Sequence, residues 1–276
     1  MYEAYWELSE PAFENSPNPK FFYLSPEHEE ALVRLVYVVT QRKGCGMLTG
    51  DYGCGKTTLA RALLQRLDGE RYEVGLLTNP CWNPVDFLRE VLYQLGVEAQ
   101  DKSPDKSPDG SRPELLHLLN DVFYRNYRAG KDTVIIVDEA QMIDDEAIFE
   151  ELRLLSNFQT DERFLMTLLL IGSTELREKV RRVRHLDQRI AIRYHLNALD
   201  GAHTANYIAH RLKMAGQTRR IFTDEAVKLI FDFTRGTPRE INNLCDLSLL
   251  IGYGKRVREI DEKIVAEVIK DTVGVS

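Results

Sequence analysis

The spacing of apolar positions changes several times along this chain, and each change marks an element. Short apolar runs bounded by turn residues at 46–49, 73–79, 133–137, 167–171 and 190–196 predict buried strands. Between them the apolar period is helical. Ser25-Pro26-Glu27-His28-Glu29 is a helix start, with Ser25 as N-cap and Pro26 at the first helical position, and Ala31, Leu32, Leu35, Val36 and Val39 continue it. Further helices are predicted over 59–64, 84–95, 115–127, 146–157 and 177–188. Strands alternating with helices imply an α/β domain built on a parallel sheet. Beyond about residue 197 the strands stop, and 202–215, 224–234, 239–253 and 261–272 all read as helices, with Gly216, Gly236 and Gly254 at the joins. The segment before Ser25 holds Pro11, Phe13, Pro17, Pro19 and Phe21-Phe22-Tyr23-Leu24 and predicts an extended arm. Three domains are therefore expected: an arm at 1–25, an α/β core at 26–197 and a small helical domain at 198–276. The stretch 99–113, with its D-K-S-P-D-K-S-P-D-G duplication, predicts a solvated loop with no chemistry.

Composition narrows the picture only a little. The 276 residues are 43% hydrophobic and 29% charged, with a formal net charge of −7. Such a balance argues against a chain that coats nucleic acid by bulk electrostatics, although a local basic patch is compatible with it. No apolar run approaches the ~18 residues of a membrane span, and Met1-Tyr2-Glu3-Ala4-Tyr5-Trp6-Glu7 lacks the features of a signal peptide, so a cytoplasmic location is expected. Cys45, Cys54, Cys81 and Cys245 form no C-x-x-C pair and read as reduced thiols.

The chemistry is concentrated in two stretches. Gly50-Asp51-Tyr52-Gly53-Cys54-Gly55-Lys56-Thr57-Thr58 satisfies the P-loop pattern, follows a predicted strand and opens a predicted helix. Its glycines let successive N–H groups curl around an anion at a helix N-terminus. Lys56 would reach the β- and γ-phosphates of ATP, and the Thr57 hydroxyl would complete a Mg²⁺ shell. The second stretch is V-I-I-V-D-E-A-Q at 134–141, a buried strand ending in two carboxylates. Taken alone, Asp138-Glu139 reads as an acidic cap for the next helix. Downstream of a P-loop it supplies what that site requires, Asp138 for the metal and Glu139 to orient and polarise the attacking water.

With these motifs in place, the chain resembles AAA+ ATPases, and more narrowly the ExeA-type (general secretion pathway A) family. The likeness runs through M-Y-x-x-Y-W-x-L-x-E-P-A-F and S-P-N-P-K-F-F-Y-L-S at the start and F-E-E-L-R-L-L-S-N-F-Q-T at 149–160. It continues in I-G-S-T-E-L-R-E at 171–178, L-D-Q-R-I-A-I-R-Y-H-L at 186–196 and G-T-P-R-E-I-N-N-L-C-D at 236–246. The resemblance implies a three-layer αβα P-loop core with a parallel sheet, followed by a small all-helical lid. It also implies further roles by position. Ser173 or Thr174 takes the sensor-1 place, where the family commonly has G-Q-P-E-L. Arg189 is the arginine finger offered to a neighbouring subunit, with Arg181, Arg182, Arg184 and Arg193 as alternatives. Arg239 is sensor 2, and Tyr23 in the arm helps line the adenine pocket. Asn79 is the switch residue that holds Glu139 off line, or a plain strand terminator before Pro80.

A finger in trans implies a homo-oligomer, a ring or filament formed with ATP. The resemblance offers two outputs. One is assembly of a secretion or pilus machine in the envelope. Such relatives often carry a membrane segment and a peptidoglycan-binding domain after the motor, and the sequence up to Ser276 holds neither, so a direct cell-wall role is not expected. The other output is ATP-dependent DNA binding beside a transposase, as in the related TniB/TnsC-type ATPases. There Lys179, Arg181, Arg182, Arg184, Arg189 and Arg193, or Arg211, Lys213, Arg219 and Arg220, would face a central pore, unless these charges form a solvated face and interface ion pairs.

Overall fold

In the computed structural model the described residues are 1–16, 18–80, 83–97 and 110–274. Pro17, Cys81 and residues 101–109 of the polar duplication, singled out above, lie outside them. The chain divides into two compact units, one of His28–Gly50 and Leu59–Leu196, the other of Met1–Glu27, Asp51–Thr58 and Asn197–Ser276.

The first unit is the α/β body. Its strands β1 (Cys45–Gly50), β2 (Tyr72–Leu77), β3 (Asp132–Val137), β4 (Met166–Gly172) and β5 (Ile190–Leu196) pair in the order β2-β3-β4-β1-β5, and every pairing is parallel. A parallel sheet covered on both faces leaves no exposed position on its inner strands. Accordingly β1, β3 and β4 are buried at every residue, whereas the edge strands β2 and β5 show outward positions. The helices are α1 (Pro26–Thr40), α2 (Lys56–Arg66), α3 (Pro84–Gln94), α4 (Arg112–Arg128), α5 (Glu146–Leu155), α6 (Glu175–Arg182) and α7 (Arg184–Asp187). Their starts are set locally. Asn83 caps α3 through the Asp86 N–H ahead of Pro84, and Ser111 with Glu114 forms a capping box on α4.

One predicted helix differs. The run expected over 177–188 is two helices, broken where Val183 leaves helical dihedrals (φ −94, ψ 75). The break lets Val180, Val183 and Leu186 all enter the same apolar cluster, and Val183 keeps its main-chain bonds, its N–H donating to Val180 and its carbonyl accepting from Leu186 and Asp187.

The second unit gathers α8 (Gly201–Met214), α9 (Asp224–Thr234), α10 (Pro238–Gly254) and α11 (Glu262–Gly274). Its core also takes in Tyr2, Trp6, Leu8, Ala12, Phe13 and Phe21. The segment before Ser25 has little regular structure beyond a 3-10 turn at Pro19–Phe21, as the sequence suggests, but it is packed into this core. Trp6 is fully buried, and its indole N–H donates to the Leu249 carbonyl at 2.9 Å. The Arg211 guanidinium donates to the Ala12 and Glu14 carbonyls at 2.6 and 2.7 Å and lies over the Phe21 ring.

Candidate nucleotide-hydrolysis site

The turn after β1 is shaped by two glycines. Gly53 and Gly55 hold φ of +81° and +96°, a left-handed region that costs a side-chain-bearing residue on the order of 1 kcal/mol or more. Gly50 ends the strand, Asp51 to Gly55 form the loop, and Lys56, Thr57 and Thr58 make the first turn of α2. That turn carries no acidic side chain, so the positive end of the helix is not neutralised by its own residues. Lys56 is buried, with its ammonium donating to the Asp51 carbonyl at 2.9 Å and lying 5.7 Å from the centre of the exposed Tyr52 ring. Cys54 is buried within the loop, and burial pushes its thiol up, which opposes formation of a reactive thiolate. Asp51–Thr58 belongs to the second unit, and that unit also brings Arg239 to this loop. Its N–H donates to the Gly53 carbonyl at 3.3 Å, and a Cβ placed on Gly53 would stand 2.8 Å from Arg239 Cβ.

The turn after β3 has no glycine. Asp138 is 2% exposed, and one of its carboxylate oxygens accepts the Glu139 N–H at 2.9 Å. Glu139 itself is left-handed, at φ 53 and ψ 35. The Gln141 side chain, buried in the next turn, donates from Nε2 to Glu139 Oε2 at 2.5 Å and accepts the Ser173 N–H on Oε1 at 2.9 Å. Ser173, just after β4, is a buried residue whose hydroxyl has no hydrogen-bond partner among the described residues. Thr174 is exposed and makes no capping bond to α6. The structure therefore brings Asp138, Glu139 and Ser173 into one hydrogen-bonded cluster, joined by Gln141.

Other residues singled out in the sequence lie elsewhere. Asn79 is exposed beyond β2, and among the described residues the Glu139 carboxylate has its donor in Gln141. Tyr23 packs edge-on against Tyr207 and beside His210 of α8. Arg189 is engaged by the Ser156 carbonyl at 3.3 Å and by the Asn157 side chain. The basic cluster is largely occupied by neighbours: Lys179 pairs with Asp144, Arg181 with Glu178, Arg193 with Asp187 and Arg220 with Asp224. A pore-facing Arg211 is overturned outright, because Arg211 is buried and holds the N-terminal segment. Two contributors went unseen in the sequence. Gln141 stands in the D-E-A-Q box, two residues past the acids. Arg177, within I-G-S-T-E-L-R-E, donates to the buried Thr49 hydroxyl at the end of β1 at 3.1 Å.

A loop of donor groups opening a helix and a buried acid pair ending a parallel strand agree with what comparison finds. Residues 39–180 match the AAA domain family. The chain belongs to that family. It is 38% identical to General secretion pathway protein A of Aeromonas hydrophila over 262 residues, which cover 94% of this chain and 46% of that protein. The chain thus spans less than half the length of this ExeA-type relative. Among solved structures, the Aeropyrum pernix ORC2 protein with ADPNP and ADP superposes with a TM-score of 0.69 at 17% identity, covering 95% of this chain and 71% of that one. The Aeropyrum pernix ORC1 protein in complex with DNA gives 0.66 at 14% identity, covering 95% and 68%. At such identities the likeness shows the fold, a parallel-sheet AAA core with a helical C-terminal region. No helix among the described residues is long and apolar enough to cross a membrane, and no cluster of three or more His, Cys, Asp or Glu residues there could hold a metal.

Proposed function

We propose that this AAA-family ATPase is a magnesium-dependent ATP hydrolase whose turnover requires a second copy of itself, and that it drives assembly of a secretion or pilus machine. The observation that carries the hydrolytic reading is the buried turn at Asp138 and Glu139, whose carboxylates are fixed by main-chain and side-chain hydrogen bonds. Glu139 orients and polarises the attacking water. Asp138 and the Thr57 hydroxyl offer the hard oxygen donors that magnesium takes, and the ion would supply charge neutralisation on the phosphates. Loop N–H groups between Gly50 and Thr58 and the Lys56 ammonium hold the β- and γ-phosphates of ATP. Arg239 acts as the sensor beside this loop, and its contact with Gly53 supports that role. Ser173 is the sensor-1 side chain in preference to Thr174, because its buried hydroxyl has hydrogen-bonding capacity to spare. Tyr23 contributes to the adenine pocket.

Arg189 is the finger given to the neighbouring copy, and its bonds to Ser156 and Asn157 would exchange for phosphate on assembly. Arg182 and Arg184 are exposed and are the nearby alternatives. The envelope role rests on the similarity to the secretion-pathway relative. The transposition role draws on the same fold, but ion pairing within the basic cluster weighs against a DNA-lined pore. ATP hydrolysis by the purified chain, abolished by Lys56→Ala, tests the core of this reading. Sedimentation with a non-hydrolysable ATP analogue tests the assembly. A monomer with full turnover would remove the trans finger, and ATP-dependent DNA binding with a steep salt slope would replace the envelope role with the DNA one.

A further inference from the structure

We propose that Gln141 is a positioning residue for hydrolysis, a latch that ties the Glu139 carboxylate to the backbone at the tip of β4. The inference rests on Glu139 being the group that acts on water. Gln141 is 2% exposed, and both ends of its amide are used, Nε2 donating to Glu139 and Oε1 accepting from the Ser173 N–H. An amide is the neutral side-chain group of that size that can donate to a carboxylate and accept from a peptide at once.

The glutamate needs such a partner. Its left-handed backbone is held by the Asp138 carboxylate, but that bond leaves the Glu139 side chain free to change rotamer. A donor on Oε2 fixes the carboxylate plane and leaves Oε1 for the water. Because the other end of the latch is the Ser173 peptide, a shift of the β4 tip moves the base with it. Room for the amide depends on Gly172: a Cβ there would stand 2.5 Å from Gln141 Oε1. The same Cβ would stand 3.0 Å from Leu176 Cδ2 and 3.2 Å from the Gln141 N, so Gly172 leaves room both for the latch and for the packing around it.

Two independent perturbations test this. Gln141→Glu keeps the acceptor for the Ser173 N–H and removes the donor to Glu139. Gly172→Ala leaves both residues in place and displaces the amide. Each is expected to lower kcat about 10- to 100-fold, as a misplaced base does, with KM for ATP and ATP affinity little changed. Gly172→Ala should add nothing to the loss already caused by Gln141→Ala, since both break one contact. Additive losses, or wild-type kcat in Gln141→Glu and Gly172→Ala alongside an inactive Glu139→Gln, overturn the latch and leave the hydrolytic reading standing. Full turnover by Glu139→Gln overturns both. If Gln141→Ala fails to fold, combining Gly172→Ala with Gln141→Glu makes the same comparison.

Discussion

β1 and β3 each run buried through the same sheet and each end in a turn assigned to catalysis, yet the two turns are built in opposite ways. The turn after β1 presents main-chain donors. It reaches that shape with glycines at positive φ and leaves the first turn of α2 free of acids. The turn after β3 presents side-chain acids, so glycine cannot serve there. Glu139 adopts a left-handed conformation all the same, and Asp138 and Gln141 hold it there. On the proposed reading, a cradle for anions is made by removing side chains, and a base by keeping the side chain and restraining it from outside, at a cost of about 1–2 kcal/mol in backbone strain.

The two turns should therefore fail differently. Glu139→Gln, which keeps the shape but removes the base, should cut kcat by at least about 100-fold while ATP still binds; equilibrium binding of a fluorescent ATP analogue beside steady-state turnover separates the two. Gly53→Ala should show the reverse signature. Its Cβ would meet Arg239 and its φ would be strained, so ATP affinity should fall about tenfold and the melting temperature should drop with it. An unchanged affinity would break the contrast. Ser173→Ala should reduce kcat several-fold without loss of stability, because the hydroxyl removed has no partner to lose; a lowered denaturation midpoint would show that it has a structural one.

The smallest effect is expected away from both turns. Burial holds the Cys45 thiol up at about 12, against an ordinary value of 9.0. A thiol raised on folding leaves stability intact below about pH 9 and withdraws it as pH rises towards 12, because the unfolded chain ionises first. Melting curves across that range should fall more steeply for the wild type than for Cys45→Ala.

Much of this was legible in the linear chain because its causes are local. Pro26 and Pro84 start their helices, the β-branched run 133–137 lies in β3, and the P-loop glycines stand where the backbone must turn left-handed. Asp138 and Glu139 were recognisable as acids at a strand's end. The burial of Ser173 beside an exposed Thr174 was not, because no periodicity distinguishes two adjacent polar residues at a strand's end. Gln141 was also hidden, since its partners lie on two different elements.

The sequence by itself carries the alternation of strands and helices, the place where the strands stop, and the two motifs on which the proposed site is built, the P-loop pattern and the Asp138-Glu139 pair. All of these depend on periodicity or spacing within a few residues. Tertiary structure alone decided the strand order, the burial of Trp6 against Leu249, the role of Arg211 and the Gln141 link. Each of those joins residues distant along the chain, and their pairing is selected by the burial and hydrogen bonding of the folded whole, which no local pattern encodes.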